Sequence, residues 1–288
     1  MSLLSTLYNK RFEWVLIFLQ RCPPVVYLRN FFSVWLFHLS RRGIVRRFFK
    51  PAVFDLSRIH LLRSKSREEL LDQEWLERDL IPRLGLNYEM LCEYPPELYR
   101  YCGQGLFAWQ YPNQFSQYLC HIARHGIRSY LEIGSRWGGT FIVTVEYLEK
   151  FHPLERAVAV DVVKTWSLTD YCATKRNARF LKMDTKSKKF KTWLQEEGPF
   201  DLVLIDGDHS EKGCRNDFEI VKGQGRVIVL HDITNAHALG PGKVWAEAKE
   251  RYKDSFEFFE FVEQYDSVRN RTGKNFFGIG VMVRQGKS

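Results

Sequence analysis

Two stretches of this chain concentrate side chains that can move protons or hold a cation. Phe200-Asp-Leu-Val-Leu-Ile-Asp-Gly-Asp-His-Ser210 is an apolar run that ends in Asp206, Asp208 and His209. Val227-Ile-Val-Leu230 is a second apolar run, and it ends in His231-Asp232. Short apolar runs bounded by turn residues read as buried strands. In open α/β sheets ligands bind beyond the carboxyl ends of the strands, so both runs deliver their polar ends to one edge. An imidazole with an ordinary pKa of about 6.5 can accept a proton at neutral pH without help. The simpler role for His209 is to cap the helix expected to start near Glu211.

A glycine-rich turn lies upstream, in Tyr130-Leu-Glu-Ile-Gly-Ser-Arg-Trp-Gly-Gly-Thr140. A strand ending at Ile133, a turn, and a helix starting near Gly139 would let backbone and helix N–H groups approach a ligand closely. Asp161 ends the next apolar run, Ala157-Val-Ala-Val-Asp161, where an acidic residue is placed to hold ribose hydroxyls. The turn lacks the middle glycine of G-x-G-x-x-G, which speaks against a pyrophosphate ligand, and Glu132 points instead to an amine-bearing one. The alternative is a plain strand–turn–helix whose glycines serve packing.

The E-x-G-x-x-x-G form of Glu132 to Gly138 resembles the first motif of class I S-adenosylmethionine-dependent methyltransferases. The I-D-G-D-H-S turn at 205–210 and the H-D-I segment at 231–233 together resemble one subfamily of them. That subfamily includes sugar O-methyltransferases of antibiotic and surface-glycan pathways and cephalosporin hydroxylase-like proteins. The resemblance covers roughly residues 115–285 and leaves out 1–60.

It implies that Glu132, Gly134, Ser135 and Gly138 line the methionine part of S-adenosylmethionine, that Asp161 takes the ribose, and that Asp184 lies near the adenine. Asp184 could equally cap the helix that follows it. The resemblance further implies Asp206, His231 and Asp232 as ligands of a divalent cation, with His209 and Asp206 catalytic and His209 as the base. His231 departs from the pattern, since magnesium prefers oxygen ligands; manganese or zinc accepts nitrogen better. Alternatively, His231 only supports the site or binds substrate. The implied activity is O-methylation of a hydroxyl on a sugar, glycan or glycosylated small molecule. Its rivals are a hydroxylase-like reaction on the same fold and a non-catalytic S-adenosylmethionine-binding module.

Positioning these residues requires an α/β fold. Strands are expected at Ser129–Ile133, Ala157–Val160, Arg179–Met183, Leu202–Ile205 and Arg226–Leu230, with late strands near 256–263 and 276–283. Helices are expected at about 139–150, 164–176, 186–197, 211–222 and 242–253. The alternation implies a mostly parallel sheet with helices on both faces. With the resemblance, the fold class is a Rossmann-like, seven-stranded class I methyltransferase with an N-terminal helical extension. The domain occupies 114–288, and 61–113 forms a helical cap or lid that begins with a capping box at Ser66-Arg-Glu-Glu69. His121 and His125 read as ordinary helix residues and Lys186–Lys191 as a solvated helix face, while His237, near Gly240-Pro-Gly242, reads as a solvated loop residue or, alternatively, one at the mouth of the pocket.

Composition bounds the rest. The chain has 288 residues, 45% of them hydrophobic, which excludes wholesale disorder. Six cysteines without a C-x-x-C pair exclude a disulfide scaffold and a zinc knuckle, and suit a reducing compartment. Of the net charge of +9, residues 1–60 carry +8, from ten Lys/Arg against Glu13 and Asp55. Their longest uncharged stretch is the eleven residues Asn30–Ser40, too short for a spanning helix of about 20 residues. Basic and aromatic residues together fit a helix lying in a membrane interface. They equally fit an extension that packs on the body or on a second subunit of a homo-oligomer. The apolar content argues against nucleic acid as a partner. A cytoplasmic protein, or one peripheral on the inner face of the membrane, is expected.

Overall fold

The computed structural model of the chain describes residues 52–285. The expected interfacial extension thus lies almost wholly outside the described residues. No helix among the described residues is long and apolar enough to cross a membrane.

The sheet contains seven strands: β3 Ser129–Ile133, β4 Arg156–Asp161, β5 Ala178–Lys182, β6 Phe200–Ile205, β7 Gly225–His231, β8 Phe256–Phe261 and β9 Ile279–Arg284. Their spatial order is β5-β4-β3-β6-β7-β9-β8. The first five pair in parallel, and β9 runs antiparallel to both β7 and β8. The order reverses between β3 and β6, which places a crevice above their carboxyl ends.

Alternation along the buried strands explains why helices cover both faces. Leu131, Ile133, Val158, Val160, Val203, Ile205, Ile228 and Leu230 point to one face. They meet α8 Lys188–Glu197, α9 Glu211–Val221 and α10 Leu239–Tyr252 through Phe190, Leu194, Phe218, Val221 and Trp245. Tyr130, Ala157, Ala159, Leu202, Leu204, Val227 and Val229 point to the other. There they meet α5 Pro112–Ile122 and α6 Gly139–Phe151, together with much of the upstream segment. Full burial of each Val, Leu or Ile contributes about 1.5–3 kcal/mol. Between β4 and β5 runs α7 Trp166–Thr174, and α11 Asp266–Thr272 joins β8 to β9.

The upstream segment is a chain of short pieces: β1 Val53–Phe54, α1 Ile59–Arg63, α2 Arg67–Leu70, α3 Gln73–Trp75 with a π-helical turn Leu76–Leu80, α4 Ile81–Leu84, and 3-10 turns Leu91–Glu93 and Pro96–Tyr101. β2 Gln104–Gly105 pairs in parallel with β1. Ser66 forms the expected capping box, accepting from Glu69 N at 3.2 Å while its own N–H donates to Glu69 Oε2 at 2.8 Å. Leu62, Leu70, Leu76, Leu84, Leu106 and Tyr111 belong to the same core as α5 and α6.

Two elements begin three residues from where the residue pattern indicates, more than the others do. β9 starts at Ile279 rather than 276, because Phe277 and Gly278 take positive φ and their carbonyls accept from Thr234 N and Ile233 N. α10 starts at Leu239 rather than 242. Gly240 is thereby pressed against the backbone of His209–Glu211, where a Cβ would lie 2.4 Å from His209 O.

Candidate active site

A cavity of about 890 Å³ opens at the carboxyl ends of β3, β4, β6 and β7. Its lining includes Gly134, Asp161, Asp184, Asp206, His209, His231 and Asp232. Glu132, Ser135 and Gly138 do not line it. Glu132 is 1% exposed and accepts a hydrogen bond from Tyr130 on the apolar face behind the turn. Burial there pushes its carboxyl well above the usual range, against the Tyr130 hydrogen bond. Gly138 caps α6 in the left-handed region, packed against Leu168. Ser135 Oγ is buried without a hydrogen-bond partner.

Gly134 is required by contact as well as conformation. Its φ is +87°, and a Cβ there would lie 2.1 Å from the Asp206 carbonyl oxygen. The turn after β3 therefore sits directly on the turn after β6, joining the two halves of the cavity. Arg136 also has positive φ, an uncommon conformation for a residue with a side chain. Its backbone N–H donates to Asp161 Oδ2 at 2.8 Å, and Val163 N donates to Asp161 Oδ1 at 2.8 Å. Asp161 thus shapes the turn in addition to facing the cavity. Glu89 clamps the same turn from outside, through Arg136 Nη2 at 2.7 Å and Trp137 Nε1 at 2.6 Å. Asp184 accepts from Lys186 N at 2.9 Å, an Asx turn just before α8, whose cap is Ser187. Lys186 pairs with Asp208 at 2.7 Å rather than standing free on a solvated face.

At the other end, two histidines and two aspartates interlock. Asp206 Oδ1 lies 3.0 Å from His209 Nε2 and 2.9 Å from His231 Nδ1. His209 Nδ1 lies 3.1 Å from Asp232 Oδ2, and His231 Nδ1 lies 3.4 Å from Asp232 Oδ1. Asp232 adopts positive φ, the kind of local strain that persists where the surroundings enforce it. His209, 39% exposed, is the most open of the four, and the others are largely buried. Burial works against the His209 imidazolium, yet Asp232 and Asp206 outweigh it and raise its pKa to about 9. Burial likewise opposes ionisation of Asp206, but His231 and His209 hold its carboxyl below the usual range.

The expectation of an unshifted, neutral His209 at pH 7 is therefore corrected. Both its ring nitrogens face carboxylates, which favours the imidazolium form. The set within metal-binding reach also differs from the expected one. Asp206, His209 and Asp232 offer ligand atoms within 4.8 Å of one another, while His231 stands behind Asp206 with its Nε2 unpartnered. Two carboxylates and an imidazole suit manganese or zinc better than magnesium.

The structure adds residues that the sequence reading passed over. Glu93, Trp109, Asn235 and Leu239 line the cavity; His237 also lines it, as its pocket-mouth reading has it, with its side chain buried rather than solvated. His121 and His125 lie apart from it, with their Nε2 atoms 3.1 Å from each other.

Residues 131–233, from β3 to the turn after β7, match a family model described as a methyltransferase domain. That stretch, rather more than a third of the chain, is similar to a methyltransferase domain. The seven-stranded, mostly parallel sheet agrees with the fold class expected from the sequence. No curated protein sequence matches the chain. Among solved structures, similarity extends to the O-methyltransferase TomG from Streptomyces achromogenes, in complex with SAM, at 16% identity over 77% of this chain and 92% of that one, with a TM-score of 0.46. An O-methyltransferase from Bacillus cereus in complex with SAH shares 16% identity over 59% of this chain and 80% of that one, with a TM-score of 0.41. The MycE methyltransferase of mycinamycin biosynthesis, with Mg and SAH, shares 18% identity over 64% of this chain and 53% of that one, with a TM-score of 0.40. The match thus spans about half of MycE.

Proposed function

We infer that this methyltransferase uses S-adenosylmethionine to methylate a hydroxyl of a sugar, glycan or glycosylated small molecule. The observation that carries the reading is the joining of two chemistries in one cavity. The Gly134 turn and Asp161 lie at one end, and the Asp206–His209–Asp232 cluster lies at the other, in direct contact through Gly134 and Asp206. The volume is in the range of small-molecule sites. Gly134 brings the turn after β3 against the Asp206 backbone, and Asp161 offers carboxylate lone pairs beside it.

Bound there, S-adenosylmethionine supplies an electrophilic methyl group on its sulfonium sulfur. The chain's part is to bring an acceptor oxygen into line with that carbon and to receive the proton the hydroxyl gives up. His209 is the exposed member of the cluster and takes that proton in its neutral form. Asp206 and Asp232 fix its ring from both sides. A divalent cation would be held by Asp206 and Asp232 beside His209, and it would acidify the acceptor hydroxyl whose proton His209 takes. Residues 1–60 fit a lipid-linked or membrane-proximal acceptor by their basic and aromatic content.

The test is product mass after incubation with S-adenosylmethionine and candidate acceptors. A gain of about 14 Da marks methyl transfer. A gain of about 16 Da would move the chain to hydroxylase-like chemistry, and binding without turnover to a non-catalytic module. Asp161→Ala is expected to weaken S-adenosylmethionine by roughly 1.5–3 kcal/mol, since it removes a charged acceptor and frees the Arg136 N–H. Calorimetric titration measures this, and equal affinities for parent and variant would remove Asp161 from the cofactor site.

A further inference from the structure

The cavity holds a second carboxylate–imidazole pair that takes no part in the proton chemistry above. Glu93, on the 3-10 turn Leu91–Glu93, is buried and lines the cavity. His237 Nδ1 lies 3.2 Å from Glu93 Oε1, and His237 Nε2 lies 3.2 Å from Lys274 Nζ. An ammonium can only donate. His237 Nε2 therefore accepts, and the ring hydrogen is assigned to Nδ1, which donates to Glu93. Among the described residues His237 is the hydrogen-bond partner of the Glu93 carboxyl, which leaves its other oxygen for a ligand.

The backbone around this pair is held without it. The Tyr111 hydroxyl donates to Glu93 O, and Arg271 Nη2 donates to Cys92 O at 2.8 Å and Tyr94 O at 2.9 Å. Across the cavity, His237 N donates to Asn235 Oδ1 at 2.9 Å, and Ala236 N donates to Asn275 O at 3.0 Å. Neither loop needs the carboxylate for its path. Burying a carboxyl is unfavourable unless partners satisfy it, and one imidazole meets only part of that need.

The pair also continues into the reactive cluster. His237 is tied to Asn235, Asn235 Nδ2 donates to Asp232 Oδ1 at 2.9 Å, and Asp232 Oδ2 reaches His209 at 3.1 Å. A polar ridge therefore runs from Glu93 to His209. Met90, Trp109, Phe277 and Leu239 supply apolar lining to the same cavity. A row of polar groups combined with an apolar lining suits a ring that carries several hydroxyls and an exposed C–H face.

We propose that Glu93, positioned by His237, anchors the acceptor by accepting a hydrogen bond from a second hydroxyl of a polyhydroxylated ring, and so selects which hydroxyl reaches His209. This rests on the reading of the cavity as a hydroxyl-methylating site. The test uses the full chain saturated with S-adenosylhomocysteine, and saturation-transfer NMR with methyl α-glucopyranoside, methyl α-galactopyranoside and methyl α-rhamnopyranoside. Cyclohexanol, a ring with one hydroxyl, is the control. At least one glycoside should bind saturably, and cyclohexanol about tenfold more weakly or not at all. Glu93→Gln should raise the glycoside Kd about tenfold and leave S-adenosylhomocysteine affinity and the melting temperature unchanged.

Should Glu93→Gln fold poorly, His237→Gln and Trp109→Leu carry the test, the first by releasing Glu93 and the second by removing apolar lining. Each should weaken the glycoside without affecting S-adenosylhomocysteine. Glycoside binding that is equal in the parent and these variants overturns the proposal, and so does a parent that binds S-adenosylhomocysteine but none of the glycosides. Glu93-dependent glycoside binding without methyl transfer would instead sink the assigned activity and leave the anchor standing.

Discussion

His209→Ala is expected to lower methyl transfer by roughly 10²–10⁴-fold while leaving S-adenosylmethionine affinity nearly intact. The imidazole is the exposed member of the cluster, and the residues expected at the cofactor lie on the other turn. The same geometry sets the pH dependence. With a folded-state pKa of about 9, His209 is neutral in about one molecule in a hundred at pH 7. Turnover should therefore climb with pH through 8 and level off above about 9. The stability linked to His209 runs in the opposite sense. Its raised pKa contributes fully below its ordinary value of about 6.5 and is lost as pH rises through about 9. A capping role alone would show the melting change without the rate change. A rate profile flat from pH 6 to 9, or near-normal turnover of His209→Ala, would remove His209 as the base. Turnover insensitive to EDTA would remove only the cation.

The residue pattern exposed the sheet well because its evidence is local. β3 occupies the expected 129–133, and the other strands of the sheet depart by a few residues; β3, β4, β6 and β7 are largely apolar runs that end in, or are followed by, Gly, Asp or His. The carboxyl-edge cluster was legible for the same reason. Asp206 and Asp232 end adjacent strands, so topology alone brings them together. Protonation was not legible. That His209 meets a carboxylate at each nitrogen depends on the turn at Asp232, which adopts an uncommon φ. Glu93 and His237 are 144 positions apart and belong to no motif, so nothing in either stretch announced the pair. α11 was missed because Asp266-Ser-Val-Arg-Asn-Arg-Thr272 has a single fully buried apolar residue, Val268, and hence no helical stripe.

Glu146→Ala should cost about 3 kcal/mol of folding stability, the largest effect expected of a residue outside the cavity. Glu146 sits within α6, which reads from sequence simply as an apolar helix, and its side chain is 2% exposed. Its Oε1 accepts from Arg63 Nη2 at 2.8 Å, Tyr171 OH at 2.9 Å and Lys175 Nζ at 3.0 Å, and its Oε2 accepts from Arg63 Nε at 2.6 Å. One carboxylate thereby ties α1 and α7 to α6. Removing it leaves Lys175 largely buried beside Tyr171, with Glu149 as its remaining acid. Arg63 is 42% exposed, so water offsets part of its loss, which places the effect at the low end for a broken buried pair. Burial opposes the charge on Glu146, but Arg63 and Lys175 outweigh it and hold its carboxyl below the ordinary value. The contribution is then complete above the unfolded-state pKa of about 4.3 and is lost as pH falls through the lower folded value. Chemical denaturation at pH 7 and again between pH 5 and 3 measures both parts. The variant should be weaker at pH 7, and the gap should close in acid. A gap that stays constant down to pH 3 would mean that packing, not charge, joins α1 to α6.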